Sequence, residues 1–226
     1  MELKVIARFH SPFESKFGIP KQAGLVEQLE GEIVFEPDYR SQDALRGMGE
    51  FDYLWLIWGF SANKHAATSP VVRPPVLGGN EKVGVWATRS PFRPNALGLS
   101  SVRIDRISLD TPQGPVIHVK GADLMDGTPI YDIKPYIVYA DSHAEARSGF
   151  VDYRKWKRLE VVIPDDVAAH LQQQGLNRKG QETLKEVLAQ DPRPHYQHDA
   201  DKVYGMKYDG LDIHFRVDGN TLTVQK

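Results

Sequence analysis

The sequence contains no cysteine, which excludes disulfide bonds, thiolate metal sites and cysteine nucleophiles. It also lacks an apolar run of about 18 residues, the length that would suggest a membrane-spanning helix. The N-terminus becomes charged too early for a signal peptide. We therefore expect a soluble protein of the reducing cytoplasm. The net charge of −2 excludes binding to nucleic acid through bulk positive charge, so any such contact must be local.

Several chemical signatures are missing as well. No G-x-G-x-x-G follows a predicted strand, so a Rossmann dinucleotide-binding unit is unsupported. There is no P-loop, no HExxH and no GxSxG. His195 and His198 form the one close histidine pair, and no third ligand lies at a matching spacing. We predict that the protein binds no metal ion.

The first 140 residues have the pattern of short strands bounded by glycine, proline, aspartate or serine. One short helix is predicted at residues 41–46, where Ser41 is a suitable N-cap. Strands are predicted at residues 3–9, 31–35, 51–60, 83–87, 101–107, 116–120 and 130–137. Their spacing favours a β-barrel or a β-sandwich over alternating βαβ units.

The pattern changes after a small, polar stretch at residues 140–149. It then predicts a strand at 159–163, a helix from Pro164, a helix at 180–190 and strands at 202–208, 211–217 and 221–224. The pairs Asp209-Gly210 and Asp218-Gly219 are tight-turn signals between those strands. The fold class is therefore mainly β with an appended α+β domain. We expect domains at 1–145 and 159–226, joined by a basic linker at 146–158.

Residues 78–100 are unusually rich in glycine, proline, asparagine and arginine. Pro91 and Pro94 stiffen the backbone around Arg89 and Arg93, so a rigid, non-helical loop is expected there. Such a loop can hold a carboxylate, a phosphate or an adenine with little ordering cost. The alternative is a proline-stiffened turn whose arginines are only solvated.

Two further segments are similarly stiff and polar, at residues 17–24 and 121–136. The second carries Asp123, Asp126 and Asp132, which either pair with the basic loop or bind the hydroxyl and amino groups of a small ligand. Three such loops can converge at one mouth of a barrel, where small-molecule sites are common.

Five motifs together resemble the TsaA-like (TrmO) family of tRNA methyltransferases. They lie at residues 17–24, 72–75 (VRPP), 78–80 (GGN), 88–95 (TRSPFRPN) and 126–136 (DGTPIYDIKPY). The segment at 188–196, LAQDPRPHY, is similar to the C-terminal domain of the bacterial members. The resemblance implies a single, non-Rossmann β-barrel as the catalytic domain, which agrees with the missing glycine motif.

The resemblance also implies an activity. Members are homodimers that use S-adenosylmethionine to methylate N6 of threonylcarbamoyladenosine at tRNA position 37, in the anticodon loop. Carried over position by position, the cofactor shell is expected to comprise Lys21, Gln22, Ala23, Ser61, Ala62, Arg89, Leu99, Gly121, Ala122, Asp123 and Leu124.

The acceptor nitrogen must lose its proton, so a general base is useful. We expect Asp126, Asp132, Tyr131 or His65 to serve, and their order is left open. For the tRNA we expect Arg93 to bind the threonyl carboxylate or a phosphate. The interleaved Arg154, Lys155, Trp156 and Lys157 are predicted to grip the anticodon loop, or else to form a solvated linker face.

Two other functions stay open at this point. The first is a non-enzymatic module that binds S-adenosylmethionine or a nucleotide on the same barrel and acts in regulation. The second is an S-adenosylmethionine-dependent enzyme that methylates a small metabolite. An assay of methyl transfer to tRNA distinguishes the main interpretation from both, because neither of these two functions would methylate tRNA.

Overall fold

Strands dominate the chain in the computed structural model, which describes residues 2–63, 69–79, 81–153, 158–193 and 199–226. In chain order they are β1 (Ala7–His10), β2 (Glu30–Phe35), β3 (Tyr53–Gly59), β4 (Val71–Val72), β5 (Val83–Gly84), β6 (Leu97–Ser108), β7 (Val116–Lys120), β8 (Thr128–Pro135), β9 (Glu160–Val162), β10 (Tyr204–Tyr208), β11 (Leu211–Asp218) and β12 (Thr221–Gln225). The α-helices are α1 (Val138–Asp141), α2 (Phe150–Tyr153), α3 (Asp165–Gln173) and α4 (Arg178–Ala189).

Six antiparallel strands close into a barrel in the order β1, β2, β7, β6, β3, β8. Closure comes from the pairing of β1 with β8, in which Ala7 lies opposite Ile130. Alternate side chains of the strands point inward. The barrel core therefore contains fully buried residues such as Phe9, Ile33 and Leu56. The barrel alternative is confirmed, and the sandwich alternative is wrong.

The C-terminal region is a four-stranded sheet packed with two helices. The strand order is β10, β11, β12, β9, and β9 pairs parallel to β12. Asn177 caps α4 by accepting a hydrogen bond from the Gly180 N–H. The appended α+β domain is thus confirmed. The β10–β11 turn is Asp209-Gly210, as predicted, with both residues at positive φ. The β11–β12 turn lies one residue later than predicted, because Asp218 pairs with Thr221.

Two local predictions are wrong. Residues 83–87 form no continuous strand: only Val83–Gly84 is extended, paired with β4, and Val85–Ala87 is a 3₁₀ turn that buries Val85. The predicted helix at 41–46 is a single 3₁₀ turn, Gln42–Leu45, and the Ser41 side chain makes no capping bond. In both places the apolar pattern is too short to stabilise a regular element.

The β1–β2 loop, residues 11–29, packs mainly with the C-terminal region. Phe13, Val26 and Leu29 are buried in one hydrophobic cluster with residues of α3, α4 and β10–β12. The loop starts and ends in the barrel, but its apolar side chains pack in the core of the C-terminal domain. Within the described residues, no helix is long and apolar enough to cross a membrane.

Candidate functional site

A cavity of about 450 Å³ lies at the end of the barrel where β3 ends and β6 and β8 begin. This volume is within the range of small-molecule sites, roughly 300 to 1,000 Å³. The β1–β2 loop, the turn after β3, the segment before β6 and the segment after β7 all contribute to its wall. The described lining residues are Lys16, Ile19, Pro20, Lys21, Gln22, Trp58, Gly59, Phe60, Ser61, Ala62, Asn63, Arg89, Pro91, Arg93, Leu97, Gly98, Leu99, Asp123, Met125 and Thr128.

Asp123 is the only carboxylate among the described lining residues. Its Oδ1 accepts a hydrogen bond of 2.6 Å from Ser100 Oγ, which in turn accepts one of 3.0 Å from Trp58 Nε1. Burial raises the pKa of the Asp123 carboxyl above its ordinary value. Hydrogen bonds from Ser100 and from the backbone N–H groups of Ala23 and Asp123, together with the charge of Arg89, oppose this shift. The cavity therefore holds a carboxylate whose position is fixed and whose charge is poorly solvated.

Two arginines of the proline-rich segment line the same cavity. Arg89 Nη1 donates to Gln22 Oε1 at 2.7 Å, which joins the segment to the β1–β2 loop. The Arg93 guanidinium lies 5.7 Å from the ring centroid of Trp86 and makes a long, 3.5 Å contact with the Val85 carbonyl oxygen. Stiff backbone around both arginines agrees with a loop ordered in advance of ligand binding.

Asn63 lines the cavity with a side-chain amide that is partly buried. Its Oδ1 accepts a 2.7 Å hydrogen bond from Lys16 Nζ. Its Nδ2 is buried and has no hydrogen-bond partner among the described residues. A buried donor without a partner costs about 1–3 kcal/mol. Because this nitrogen is buried and not exposed at the cavity surface, it carries no argument for a ligand.

Seven of the residues predicted to bind the cofactor line this one cavity: Lys21, Gln22, Ser61, Ala62, Arg89, Leu99 and Asp123. The other four lie just behind its wall. The Ala23 N–H binds the Asp123 carboxylate, and Gly121 is hydrogen-bonded to Gly24 and Leu29 through its backbone. Ala122 and Leu124 are buried in the barrel core. The structure brings the predicted shell together, and its role in binding stays a prediction.

Three of the predicted catalytic residues are dispersed, and the fourth, His65, lies outside the described residues. Asp126 Oδ1 lies 3.1 Å from His10 Nδ1 and does not line the cavity. Asp132 is ion-paired with Lys134 at 2.9 Å on a partly exposed part of β8. Tyr131 lies nearer, because its phenol oxygen would come within 2.6 Å of a Cβ on Gly59, a lining residue. A catalytic role stays a prediction for all three, and Tyr131 is the one that contacts the cavity wall.

Of the residues predicted to bind tRNA, Arg93 lines the cavity. Arg154, Lys155, Trp156 and Lys157 lie outside the described residues. In the part of the chain that is described, no group of three or more histidine, aspartate or glutamate side chains is placed to hold a metal ion.

Sequence reasoning did not assign Lys16, Trp58, Asn63, Ser100 or Thr128 to the site. The contact between Trp58 and Ser100 joins two positions 42 residues apart. Three of the five did have a local signal: Asn63 follows Ser61 and Ala62, Ser100 ends the segment at 78–100, and Thr128 belongs to the motif at 126–136. Lys16 and Trp58 carry no signal that a single sequence reveals.

The comparisons with known proteins agree with this geometry. The family model of the tRNA-methyltransferase O N-terminal domain matches residues 8–142, and that of the TrmO C-terminal domain matches residues 156–226. The chain belongs to the TrmO family. The TrmO N-terminal match includes the barrel and every described residue that lines the cavity.

Individual TrmO relatives cover almost the whole chain. The tRNA (adenine(37)-N6)-methyltransferase of Escherichia coli (strain K12) is 36% identical over 220 residues, covering 96% of this chain and 93% of the relative. The enzyme of the same name from Eikenella corrodens is 41% identical over 168 residues, covering 74% and 92%. The crystal structure of TrmO from Pseudomonas aeruginosa superposes with a TM-score of 0.78 at 30% identity, covering 100% of this chain and 98% of that one.

Proposed function

We propose that this protein is an S-adenosylmethionine-dependent tRNA methyltransferase that methylates N6 of adenosine 37. The observation that carries the proposal is the convergence of the family's motif residues on one cavity with a fixed carboxylate. We further propose that the accepting adenosine already bears a threonylcarbamoyl group. The cationic lining, with Lys16, Lys21, Arg89 and Arg93, supports a substrate with an anionic group.

The lining fits S-adenosylmethionine chemically. The ligand offers a carboxylate, an amino group, ribose hydroxyls and an adenine, and the cavity presents cations and, among the described lining residues, one carboxylate. Asp123 is placed to accept hydrogen bonds from amino or hydroxyl groups. When bound, the cofactor supplies a methyl group on a positively charged sulfur.

The protein's own contribution is to hold and orient the reactants. Orientation alone can lower a barrier by roughly 7 to 11 kcal/mol in favourable cases. The chain has the rigidity this needs, because prolines 91 and 94, the Arg89–Gln22 bond and the Ser100–Asp123 bond fix three sides of the cavity. The proton leaving N6 requires an acceptor. We propose that the Asp123 carboxylate receives it at a side-chain oxygen, since it is the one carboxylate among the described lining residues.

Exposed aromatic residues beside the cavity fit a nucleic-acid substrate. Trp86 is 73% exposed and Phe92 is 50% exposed, and Trp86 carries the Arg93 guanidinium on one face. Aromatic rings next to arginines are a common platform for unpaired bases. We propose that the anticodon loop stacks here, with Arg154, Lys155, Trp156 and Lys157 as further contacts.

We also propose that the protein is a homodimer and acts in the cytoplasm. The support for a dimer is a set of apolar side chains that are largely exposed on and next to the short helices α1 and α2. These are Ile137, Val138, Tyr139, Val151 and Tyr153. Exposed apolar surface of this kind is typical of a protein interface. Sedimentation equilibrium would reveal a dimer, and Tyr139→Arg should shift it towards the monomer.

A labelled methyl-transfer assay tests the function. The purified chain is incubated with S-adenosylmethionine labelled in the methyl group and with tRNA that carries or lacks threonylcarbamoyladenosine 37. We expect label on N6 of the modified tRNA alone. Binding of S-adenosylmethionine without transfer would indicate a regulatory module instead. Equal labelling of both tRNAs would retain the methyltransferase and reject the requirement for the threonylcarbamoyl group.

A further inference from the structure

The β1–β2 loop lies between the cavity and the C-terminal domain. One side supplies Lys16, Ile19, Pro20, Lys21 and Gln22 to the cavity wall. The other side is buried against the C-terminal domain, where Phe13, Val26 and Leu29 are at most 2% exposed. The cavity wall is therefore supported from behind by a domain that contributes no described lining residue of its own.

The packing behind the loop is close. The Phe13 ring meets Tyr208 edge to face at 5.5 Å, and Phe17 stacks on Phe215 at 6.5 Å. Gly18 has φ of +93°, and a Cβ there would come within 2.5 Å of Met206 Cε. The Gly18 backbone thus packs directly against the Met206 side chain of β10.

Lys21 makes one of the polar links between the two domains, alongside the ion pair between Lys179 of α4 and Glu30 of β2. Its Nζ donates to the carbonyl oxygen of Gln190, the residue that ends α4, at 3.3 Å. The last turn of α4 contains no basic residue, so the barrel loop provides the cation that this negative helix end favours. Asp191 follows directly, with its carboxylate held by the Arg193 guanidinium at 2.9 and 3.0 Å.

The charges around Lys21 fit a positioning role. Burial lowers the pKa of the Lys21 amine, and the negative charge of Asp191 opposes that shift. Asp191 therefore helps to keep a half-buried ammonium charged and directed at the end of α4. The adjacent Gln22 accepts the hydrogen bond from Arg89, and the Ala23 N–H binds Asp123. A displacement of Lys21 would consequently move two groups that order the cavity.

We propose that Asp191 and the C-terminal end of α4 are positioning elements for the cofactor site. They hold Lys21, and through it the β1–β2 loop, in the conformation that binds S-adenosylmethionine. The inference rests on the proposed function and adds a role to the C-terminal domain: this domain sets the affinity for the cofactor, apart from any contact with tRNA.

A double-mutant cycle on the full chain tests the proposal. The variants are Asp191→Asn, Lys21→Met and the double variant, and isothermal titration calorimetry gives the Kd for S-adenosylmethionine without tRNA. Asp191→Asn should raise this Kd roughly five- to tenfold, and should add little in the Lys21→Met background, because coupled residues are not additive. Asp212→Asn is the matched control, since its exposed carboxylate pairs with Lys207 in the same domain. It should leave the Kd unchanged.

The outcomes separate the possibilities. An Asp191→Asn variant with unchanged cofactor Kd and weakened tRNA binding would overturn the proposal. So would an Asp191→Asn substitution that raised the cofactor Kd by the same factor in the wild type and in the Lys21→Met variant. A wild-type chain that bound no S-adenosylmethionine would overturn the proposed function itself. Hydrogen exchange gives a second readout: Asp191→Asn should increase exchange at residues 18–24.

A packing variant provides an independent test if Asp191→Asn folds poorly. Met206→Ala removes the side chain that lies on Gly18 and leaves the charges of Lys21 and Asp191 in place. We expect faster exchange in the β1–β2 loop and a raised Kd for S-adenosylmethionine, with tRNA affinity unchanged. A folded Met206→Ala protein with wild-type cofactor affinity would contradict the idea that the domain supports the loop.

Discussion

At the scale of single residues, the cavity depends on a carboxylate that is costly to bury. Asp123 lies in the wall, held by Ser100 and by backbone N–H groups, and burial raises the pKa of its carboxyl. A raised folded-state pKa means that the folded protein binds the proton more tightly than the unfolded chain does. The ionised group therefore opposes folding at neutral pH, which is typical of a residue kept for binding.

Replacing Asp123 should separate stability from binding. We expect Asp123→Asn to raise the Kd for S-adenosylmethionine by about 10- to 100-fold, because a hydrogen bond to a charged group contributes about 1.5–3 kcal/mol. The free energy of unfolding should not fall. The stability of the wild type relative to the variant should decline as pH rises above the ordinary value of 3.8.

Urea denaturation at several pH values and calorimetric titration measure both effects. Asp212→Asn, which alters an exposed ion pair, is the control. A variant that became less stable relative to the wild type with rising pH would contradict the assignment of a raised pKa.

Trp86 is the residue on which the tRNA proposal is most easily tested. Its ring is 73% exposed, so Trp86→Ala should change the free energy of unfolding by less than about 0.5 kcal/mol. Loss of base stacking should weaken tRNA binding by about 1–3 kcal/mol. Leu109→Ala removes an exposed apolar side chain just beyond the other end of β6 and should have no effect on either quantity. Fluorescence anisotropy with labelled tRNA gives the Kd, and equal values for both variants would reject the platform.

At the scale of elements, the pairing of β3 with β6 shapes the cavity floor. Trp58 lies opposite Gly98, and a Cβ at that glycine would come within 2.2 Å of the indole ring. The indole N–H reaches Ser100 on β6, the residue that binds Asp123. The missing side chain at Gly98 thus leaves room for the Trp58 ring, whose N–H orients Ser100 and, through it, the Asp123 carboxylate.

Gly98→Ala should disturb this arrangement. We expect a loss of about 1–3 kcal/mol in the free energy of unfolding, the usual cost of overpacking a fixed site. Cofactor affinity should fall as well, because Trp58 must move away from Ser100. Gly84→Ala is the matched control, since nothing lies within 4 Å of its added methyl group. Urea denaturation followed by circular dichroism compares the two, and similar stabilities would show that Trp58 relaxes without cost.

At the scale of the whole molecule, the barrel and the C-terminal domain share one piece of chain. The β1–β2 loop belongs to the barrel by connectivity and to the C-terminal core by packing. Its ends remain tied to the barrel, through bonds such as that from the Gly24 N–H to Gly121 O. A perturbation in either domain can therefore reach the cavity.

A matched pair of phenylalanine variants tests this sharing. Phe9 and Phe13 lie four residues apart and are both fully buried, Phe9 in the barrel core and Phe13 in the C-terminal cluster. Phe→Ala in a core costs about 3–5 kcal/mol at either position. Hydrogen exchange should rise first in β10 and β11 for Phe13→Ala, and in β2 and β8 for Phe9→Ala. The same exchange pattern in both variants would indicate that the barrel core and the C-terminal cluster unfold as one unit.

The agreement between sequence and structure is best where the signal is local. Residues 116–120 were predicted as a strand and form one, because apolar residues run between clear turn residues. The Asp209-Gly210 turn was found from two residues for the same reason. Seven of the predicted cofactor residues line one cavity because the motifs that identified them follow or precede barrel strands. The contact of Asp126 with His10 joins positions 116 residues apart, and no local pattern reveals it. The catalytic role of Asp126 stays a prediction.

The sequence by itself determined the chemical classes and the fold class. The absence of cysteine and of glycine motifs excluded whole classes of chemistry. The alternating strand pattern and the five family motifs each lie within a short stretch of sequence, so local residue types are enough to recognise them. Only the tertiary structure decided that the barrel closes, that Asp123 and not Asp126 lies in the cavity wall, and that α4 supports Lys21. Those facts depend on which distant segments bury each other's apolar surface, and burial is a property of the folded chain as a whole.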